Sequence, residues 1–468
     1  MMQVTRILTP LATGILAIGA PLGVATAQAP TADTAFLPPN GPAAPLEPTT
    51  QREQCTIGAL DPQFGPTTSQ SAEHILRYSS VWPLSRGKGQ TVAVIDTGVT
   101  PHPRLRNVIP GGDFVSSGDG TSDCDAHGTL VAGIIAAQES PFDGFAGVAP
   151  DATILSIRQS SLKFGRLATL DDTDGYQSEN SYGTVHTLAM AVRRAADLGA
   201  TVINISEVAC VPANIALNDR ALGAALAYAV DVKDVVVVVA AGNLDGQSCR
   251  NQNPTADPIS GGYPNWDTIS TNVTPARYDD YVIAVASTDT DGAPSVFSLA
   301  GPWVDIAAPG TEITSLDPAP GAVGLINGQI RGGDVSGIAG TSYATPFVAG
   351  TAALIRERFP HLTAREVKDR IIATAHSSAQ GWNPQVGFGI VDPVAAVTAD
   401  VAPVGVSGSL GYAANVEKGP HAEKASERIS APEPETDESA LPRVIAGLVA
   451  FGFLVTALTA LLLISSRK

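Results

Sequence analysis

A chain of 468 residues is long enough for one large domain with flanking segments, and 45 acidic against 28 basic side chains leave a net charge of −17. With no Lys/Arg-rich patch, this balance argues against nucleic acid as a partner and reads as the solubility charge of an extracytoplasmic surface. The four cysteines, Cys55, Cys124, Cys210 and Cys249, lack the C-x2-C spacing of zinc sites, so two disulfides are expected and no metal, with three pairings open.

Residues 1–27 carry one basic residue, Arg6, then an apolar stretch and Ala25-Thr26-Ala27, the pattern of a cleaved signal peptide. Gly14, Gly19, Pro21 and Gly23 interrupt that stretch too often for a permanent membrane helix. An N-terminal extension, residues 28–80, follows. It is Pro- and Thr-rich, extended and surface-lying, with a short helix expected within Ala72 to Trp82.

From 81 to 400 apolar strands alternate with helical periodicity. Strands are predicted near 91–95, 154–157, 202–205, 235–240 and 281–286, and helices near 127–138, 184–198, 216–231, 342–359 and 363–375. A βαβ series of this kind implies an α/β fold, doubly wound, with a mostly parallel sheet and helices on both faces. Two long polar loops interrupt it, at about 159–182 and 250–276, the first long enough to meet a partner or to be cut.

After about 401 the periodicity stops, and residues 401–443 form a charged, Pro-containing linker. Val444 to Ile464 are 21 residues without a charge, about 31 Å as a helix against a hydrocarbon core of ~30 Å. Arg467 and Lys468 in the tail, residues 465–468, agree with the positive-inside rule for a single-pass chain whose large domain faces outward.

The chemistry gathers on four apolar segments. Gly340-Thr341-Ser342 opens a helix, with Pro346 placed in its first turn, and sets Ser342 where unpaired N–H groups favour developing negative charge. A serine needs a base, and the base needs a carboxylate. Asp96 ends the strand Val92-Ala93-Val94-Ile95, and His127 starts the small-residue helix Gly128-Thr129-Leu130-Val131. Asn243 ends the run Val235 to Val239 with a side-chain amide able to donate to an oxyanion. Asp123 and Asp125, just before His127, either tune the imidazole or are plain loop residues, the second reading being favoured, and the other histidines, His74, His102, His186, His361, His376 and His421, are assigned no role.

Asp96, His127, Asn243 and Ser342, in this order and in these contexts, resemble the subtilisin (subtilase) family of serine proteases over about Val81 to Val397. Gly147-Val148-Ala149-Pro150, Val202 to Ser206 and Ala308-Pro309-Gly310 also resemble subtilase segments. The resemblance implies a subtilisin-like fold without a cofactor, the triad Asp96, His127 and Ser342, and Asn243 in the oxyanion hole. It also implies substrate-binding walls at Ser206, Glu207 and Val208 and at Ala240, Ala241 and Gly242. Where many subtilases have Leu-Gly, this chain has Glu207 and Val208, so a broad apolar preference does not carry over.

The whole layout is similar to the mycosins, membrane-anchored subtilases of mycobacterial type VII secretion systems. That likeness implies cleavage of exported protein substrates at a secretion membrane complex, or chiefly a stabilising role in that complex with proteolysis secondary. It also implies the pairs Cys55–Cys124 and Cys210–Cys249, and an extension that stays on the mature enzyme as a strap.

Overall fold

The computed structural model describes residues 29–167, 181–244, 249–255, 265–331, 333–377 and 381–401. The chain divides into two units, Met1–Gly405 and Val406–Lys468, the second lying outside the described residues. The expectations for the signal peptide, for linker residues 402–443, for the membrane helix at 444–464 and for the tail also lie outside them. Among the described residues no helix is long and apolar enough to cross a membrane.

Seven parallel strands form the central sheet: β1 (Thr91–Asp96), β2 (Val108–Asp113), β3 (Thr153–Arg158), β4 (Val202–Ile205), β5 (Val236–Ala240), β6 (Ile283–Thr288) and β7 (Ile306–Pro309). Their spatial order is β7-β6-β5-β4-β1-β3-β2, so the winding reverses beside β1. In open parallel sheets the crevice at such a reversal, outside the carboxyl ends of the strands, is where ligand groups gather, and Asp96 stands at that end of β1.

Val92 to Asp96 of β1 and every residue of β5 are buried, although their side chains alternate between the two faces. Both faces are therefore covered, which is what uninterrupted Val/Ile runs require. Five helices supply the larger part of the cover: α1 (His127–Ala136), α2 (Val185–Asp197), α3 (Arg220–Ala227), α4 (Thr341–Arg358) and α5 (Ala364–Ala373). α1 packs on α4, and α2 on α3. Gly128 to Ala136 are all buried, so α1 has no polar face and runs through the core.

Two sheet strands were not expected, β2 and β7, and both are edges. Described parts of the two polar loops are built into sheets. Phe164–Arg166 pairs with Thr49–Gln51, and Thr271–Thr274 with Ala209–Pro212. The extension is likewise built into the domain: Ile57–Ala59 pairs with Gly328–Arg331, and Ser71–Leu76 is helical.

Candidate active site

Asp96 is fully buried, and its Oδ1 accepts hydrogen bonds from the Thr97 amide and from His127 Nδ1, each at 2.7 Å. The His127 side chain keeps 21% of its surface while Asp96 keeps none, so the imidazole faces the cleft and the carboxylate is closed behind it. An Asp fixed on Nδ1 leaves the other ring nitrogen free to act as a base. Burial alone would push the imidazole down. The charge and hydrogen bond of Asp96, with the charges of Glu207 and Asp123, hold it up at about 9.

Asp123 is a correction to the sequence reading. It is no plain loop residue, because Oδ1 accepts from Thr97 Oγ1 at 2.8 Å and Oδ2 from the Thr129 amide and hydroxyl at 2.8 and 2.6 Å. Thr97 Oγ1 in turn accepts from the Gly128 amide at 3.0 Å, so Asp123 clamps the end of β1 to the first turn of α1. Burial pushes its carboxyl up to about 7 despite the bonds from Thr129 and Thr97. Its signal was its place four residues before His127, pointing back at the helix start. Asp125 is buried too, taking the Leu162 amide at 2.7 Å and the Ser161 hydroxyl. His127 itself follows Ala126, held at φ 73°, a left-handed conformation that costs a non-glycine residue strain and turns the imidazole out of the helix start.

Ser342 is the second residue of α4, and Pro346 is the sixth, one turn deeper than the sequence reading placed it. A proline there cannot donate to the carbonyl four residues back, which is that of Ser342. Ser206 Oγ fills the vacancy, donating to Ser342 O at 2.8 Å while accepting from Asn204 Nδ2 at 2.9 Å. The structure thus places Ser206 against the back of the nucleophile's helix. The ring of Tyr343 lies 4.9 Å from that of His127, which brings the two helix starts together.

Asn243 Oδ1 accepts from the Thr341 amide at 2.9 Å, which orients the side chain and leaves Nδ2 as the donor. Gly340 (φ 155°) lets both groups approach: a methyl there would sit 3.0 Å from Ser342 Oγ and 3.6 Å from Asn243 Nδ2. Ala240, Ala241 and Gly242 continue β5 to Asn243, with Gly242 at φ 112° turning the chain. Val208 packs on the core and Glu207 is half-buried.

Carboxylate oxygens of Asp96 and Glu207 and a ring nitrogen of His127 lie within 4.8 Å of one another, the one His/Cys/Asp/Glu group among the described residues close enough to hold an ion. Asp96 Oδ1 is already engaged by His127. Burial and the Asp96 charge push Glu207 up to about 7, against the pull of the His127 charge.

The bridges are Cys55–Cys124, beside the His127 loop, and Cys210–Cys249, which joins the segment after Glu207 to the one after Asn243. Of the remaining described histidines, His376 pairs with Asp392 at 2.9 Å and His102 Nδ1 accepts the Arg104 amide at 3.1 Å.

Comparison with known proteins gives the same direction. Residues 87–389 match the subtilase family of peptidases (Peptidase_S8). The chain is 50% identical over 408 residues to mycosin-4 of Mycobacterium tuberculosis, covering 86% of each. It superposes with a TM-score of 0.73 and 46% identity on the MycP3 protease from the type VII (ESX-3) secretion system, covering 80% of this chain and all of that one. A chain of the periplasmic assembly from the ESX-5 inner membrane complex matches with a TM-score of 0.74 and 42% identity, over 81% of this chain and 96% of that one.

Proposed function

Because the chain belongs to the subtilase family of serine proteases, and within it to the mycosins, we propose that it is an endopeptidase acting through Ser342, His127 and Asp96. His127 takes the Ser342 hydroxyl proton as Oγ attacks a peptide carbonyl. The proton then passes to the leaving amine as the C–N bond breaks, and an acyl-enzyme remains. Water, deprotonated by the same imidazole, releases the acid and restores Ser342. Asp96 holds the tautomer and stabilises the imidazolium. Asn243 Nδ2 and the Ser342 amide receive the oxyanion, and Ala240 to Gly242 with Val208 line the bound peptide.

The observation that carries this reading is the 2.7 Å bond between the buried Asp96 and the cleft-facing His127, supported by Asn243 turned with its donor toward the Ser342 side. We further propose residues 1–27 as a signal peptide, 28–80 as a retained strap, 81–400 as the peptidase domain, and 444–464 as a single anchor holding that domain on the extracytoplasmic side. The likeness to a chain of the ESX-5 assembly supports a type VII secretion membrane complex as partner and proteins exported through it as substrates.

A serine-directed fluorophosphonate should label the protein, and Ser342→Ala should abolish the label. Ser342→Ala or His127→Ala should lower peptide hydrolysis by roughly 10⁴-fold or more, and Asn243→Ala by about 10²- to 10³-fold, the sizes such losses have in subtilisin. Full labelling of Ser342→Ala would refute the assignment.

A further inference from the structure

The third group beside the catalytic pair is unused by the mechanism, and its charge is unanswered. Asp96 and His127 stand beside Glu207, and among the described residues no Lys or Arg forms an ion pair with it. Two other buried acids are paired with cations, Asp113 with Arg158 at 3.4 Å and Asp305 with Lys368 at 2.9 Å. Asp125 likewise feels Arg158 and Lys163. Asp96 adds to the deficit, because its Oδ2 is buried without a hydrogen-bond partner. The imidazole must be neutral to act as a base, so the working cleft holds two carboxylates within 4.8 Å of the base and, among the described residues, no Lys or Arg paired with either.

Glu207 is only half-buried, at the turn that leaves β4 for the cleft, so a bound chain can reach it. Building on the endopeptidase reading above, we propose that Glu207 is a specificity-determining residue that selects substrates carrying a lysine or arginine side chain next to the scissile bond. A substrate ammonium or guanidinium would form a charge-assisted hydrogen bond with Glu207 inside a partly desolvated cleft, where such bonds are about twice as strong as neutral ones. A leucine or norleucine at the same position would leave the carboxylate desolvated and unpaired, and buried polar groups left unpaired are what produce large discrimination. The same geometry accounts for the absence of a leucine at this position: an apolar wall would favour apolar side chains, whereas Glu207 repels acidic ones and leaves apolar ones uncompensated.

The test uses the full-length chain in detergent, in buffer with EDTA so that no divalent ion substitutes for the substrate's charge. Peptides identical except for Arg, Lys, norleucine or Glu at one place are scanned from three residues before the cleaved bond to two after it. At one position kcat/KM should favour Arg or Lys over norleucine by about 10-fold or more. Glu207→Gln should collapse that ratio to within about threefold, and Glu207→Lys should turn it toward the Glu peptide. The readout is a ratio, so a general loss of activity does not mimic it, and phosphonate labelling of each variant reports an intact site. No cationic advantage at any position in the wild-type protein, or an advantage that survives Glu207→Gln, would overturn the proposal. Failure of the wild-type protein to label at Ser342 would instead sink the endopeptidase reading on which it rests.

Discussion

The bond from Ser206 to the Ser342 carbonyl makes a sharp prediction, because Pro346 tells which backbone group needs it. With no N–H at position 346, the carbonyl of residue 342 has no helical donor, and Ser206 Oγ reaches it at 2.8 Å in a setting where Ser206 is 6% exposed and Ser342 7%. Ser206→Ala strips that carbonyl of its donor and Asn204 Nδ2 of its acceptor at once. Leaving such buried groups unsatisfied costs about 1–3 kcal/mol. The measurement is denaturant unfolding in the Ser342→Ala background, which keeps the residue-342 carbonyl and removes self-digestion. A second substitution isolates the cause: Pro346→Ala restores an N–H four residues after position 342, so the carbonyl regains a helical partner and Ser206→Ala should then cost at least about 1 kcal/mol less. A cost for Ser206→Ala below about 0.5 kcal/mol, or the same cost with and without Pro346, would refute the reasoning.

Because acidic neighbours hold His127 at about 9, kcat/KM should climb with pH through a value well above the ordinary imidazole value of ~6.5, and Glu207→Gln should move that limb downward. The folded value lies above the unfolded one, so the stability contributed by the protonated His127 is full below about pH 6.5 and is lost as pH rises through about 9. Melting temperature should fall across that window in Ser342→Ala and flatten in His127→Gln. Truncation after about Ala440 should yield a protease that leaves the membrane fraction, whereas high-salt washing should not extract the full-length chain; an integral truncation would disprove the single anchor. Deleting residues 28 to about 71 should lower the unfolding midpoint without raising activity, since buried Gln70 donates to Thr314 O at 2.7 Å and buried Asn327 donates to Asp61 O at 2.9 Å. Activity that appears only after this segment is cut away would rule out the strap.

The legible parts of the sequence were those with dense local patterning. The Val/Ile run of β1 ending in Asp96, and that of β5 followed by Ala241-Gly242-Asn243, located two site residues, and the apolar, small-residue pattern after His127 marked a helix that the structure buries from Gly128 to Ala136. The two strands that escaped, β2 with Pro110, Gly111 and Gly112 and β7 with Pro309, are edges, where one side of the backbone goes unpaired and proline or glycine is tolerated. Their pattern is weak because an edge asks less of a sequence. The pairing of Thr49–Gln51 with Phe164–Arg166 and the Asp123 contact to Thr97 were hidden for another reason. Each depends on contacts between distant segments, which a one-dimensional pattern does not carry. Ser206 was placed on the substrate wall by likeness, and only the register of β4 against α4 turned its hydroxyl to the Ser342 carbonyl.

That register connects the pieces. From Asn204 to Cys210 one short segment reaches the nucleophile's carbonyl, the base with its carboxylate, and the segment after Asn243. Asn204 and Ser206 brace the carbonyl of the nucleophile, and Glu207 lies beside the base and its carboxylate. Cys210 ties the strand that follows to Cys249, on the segment after Asn243. β4 neighbours β1 directly, so the strand carrying Asp96 and the strand carrying this segment share hydrogen bonds from Val92 through Ile95. A slip of one residue between them would turn Ser206 and Glu207 to opposite sides, away from helix and base alike, so register is more strongly specified here than burial alone requires. On the proposal above, Glu207 can differ from the leucine common among subtilases while Ser206, buried against the Ser342 carbonyl, keeps its support of the nucleophile's helix. If Glu207 sets substrate choice, the residue that does so lies one peptide unit from the residue that supports the nucleophile, and its charge still reaches the base, so Glu207→Gln should change both the substrate ratio and the pH limb.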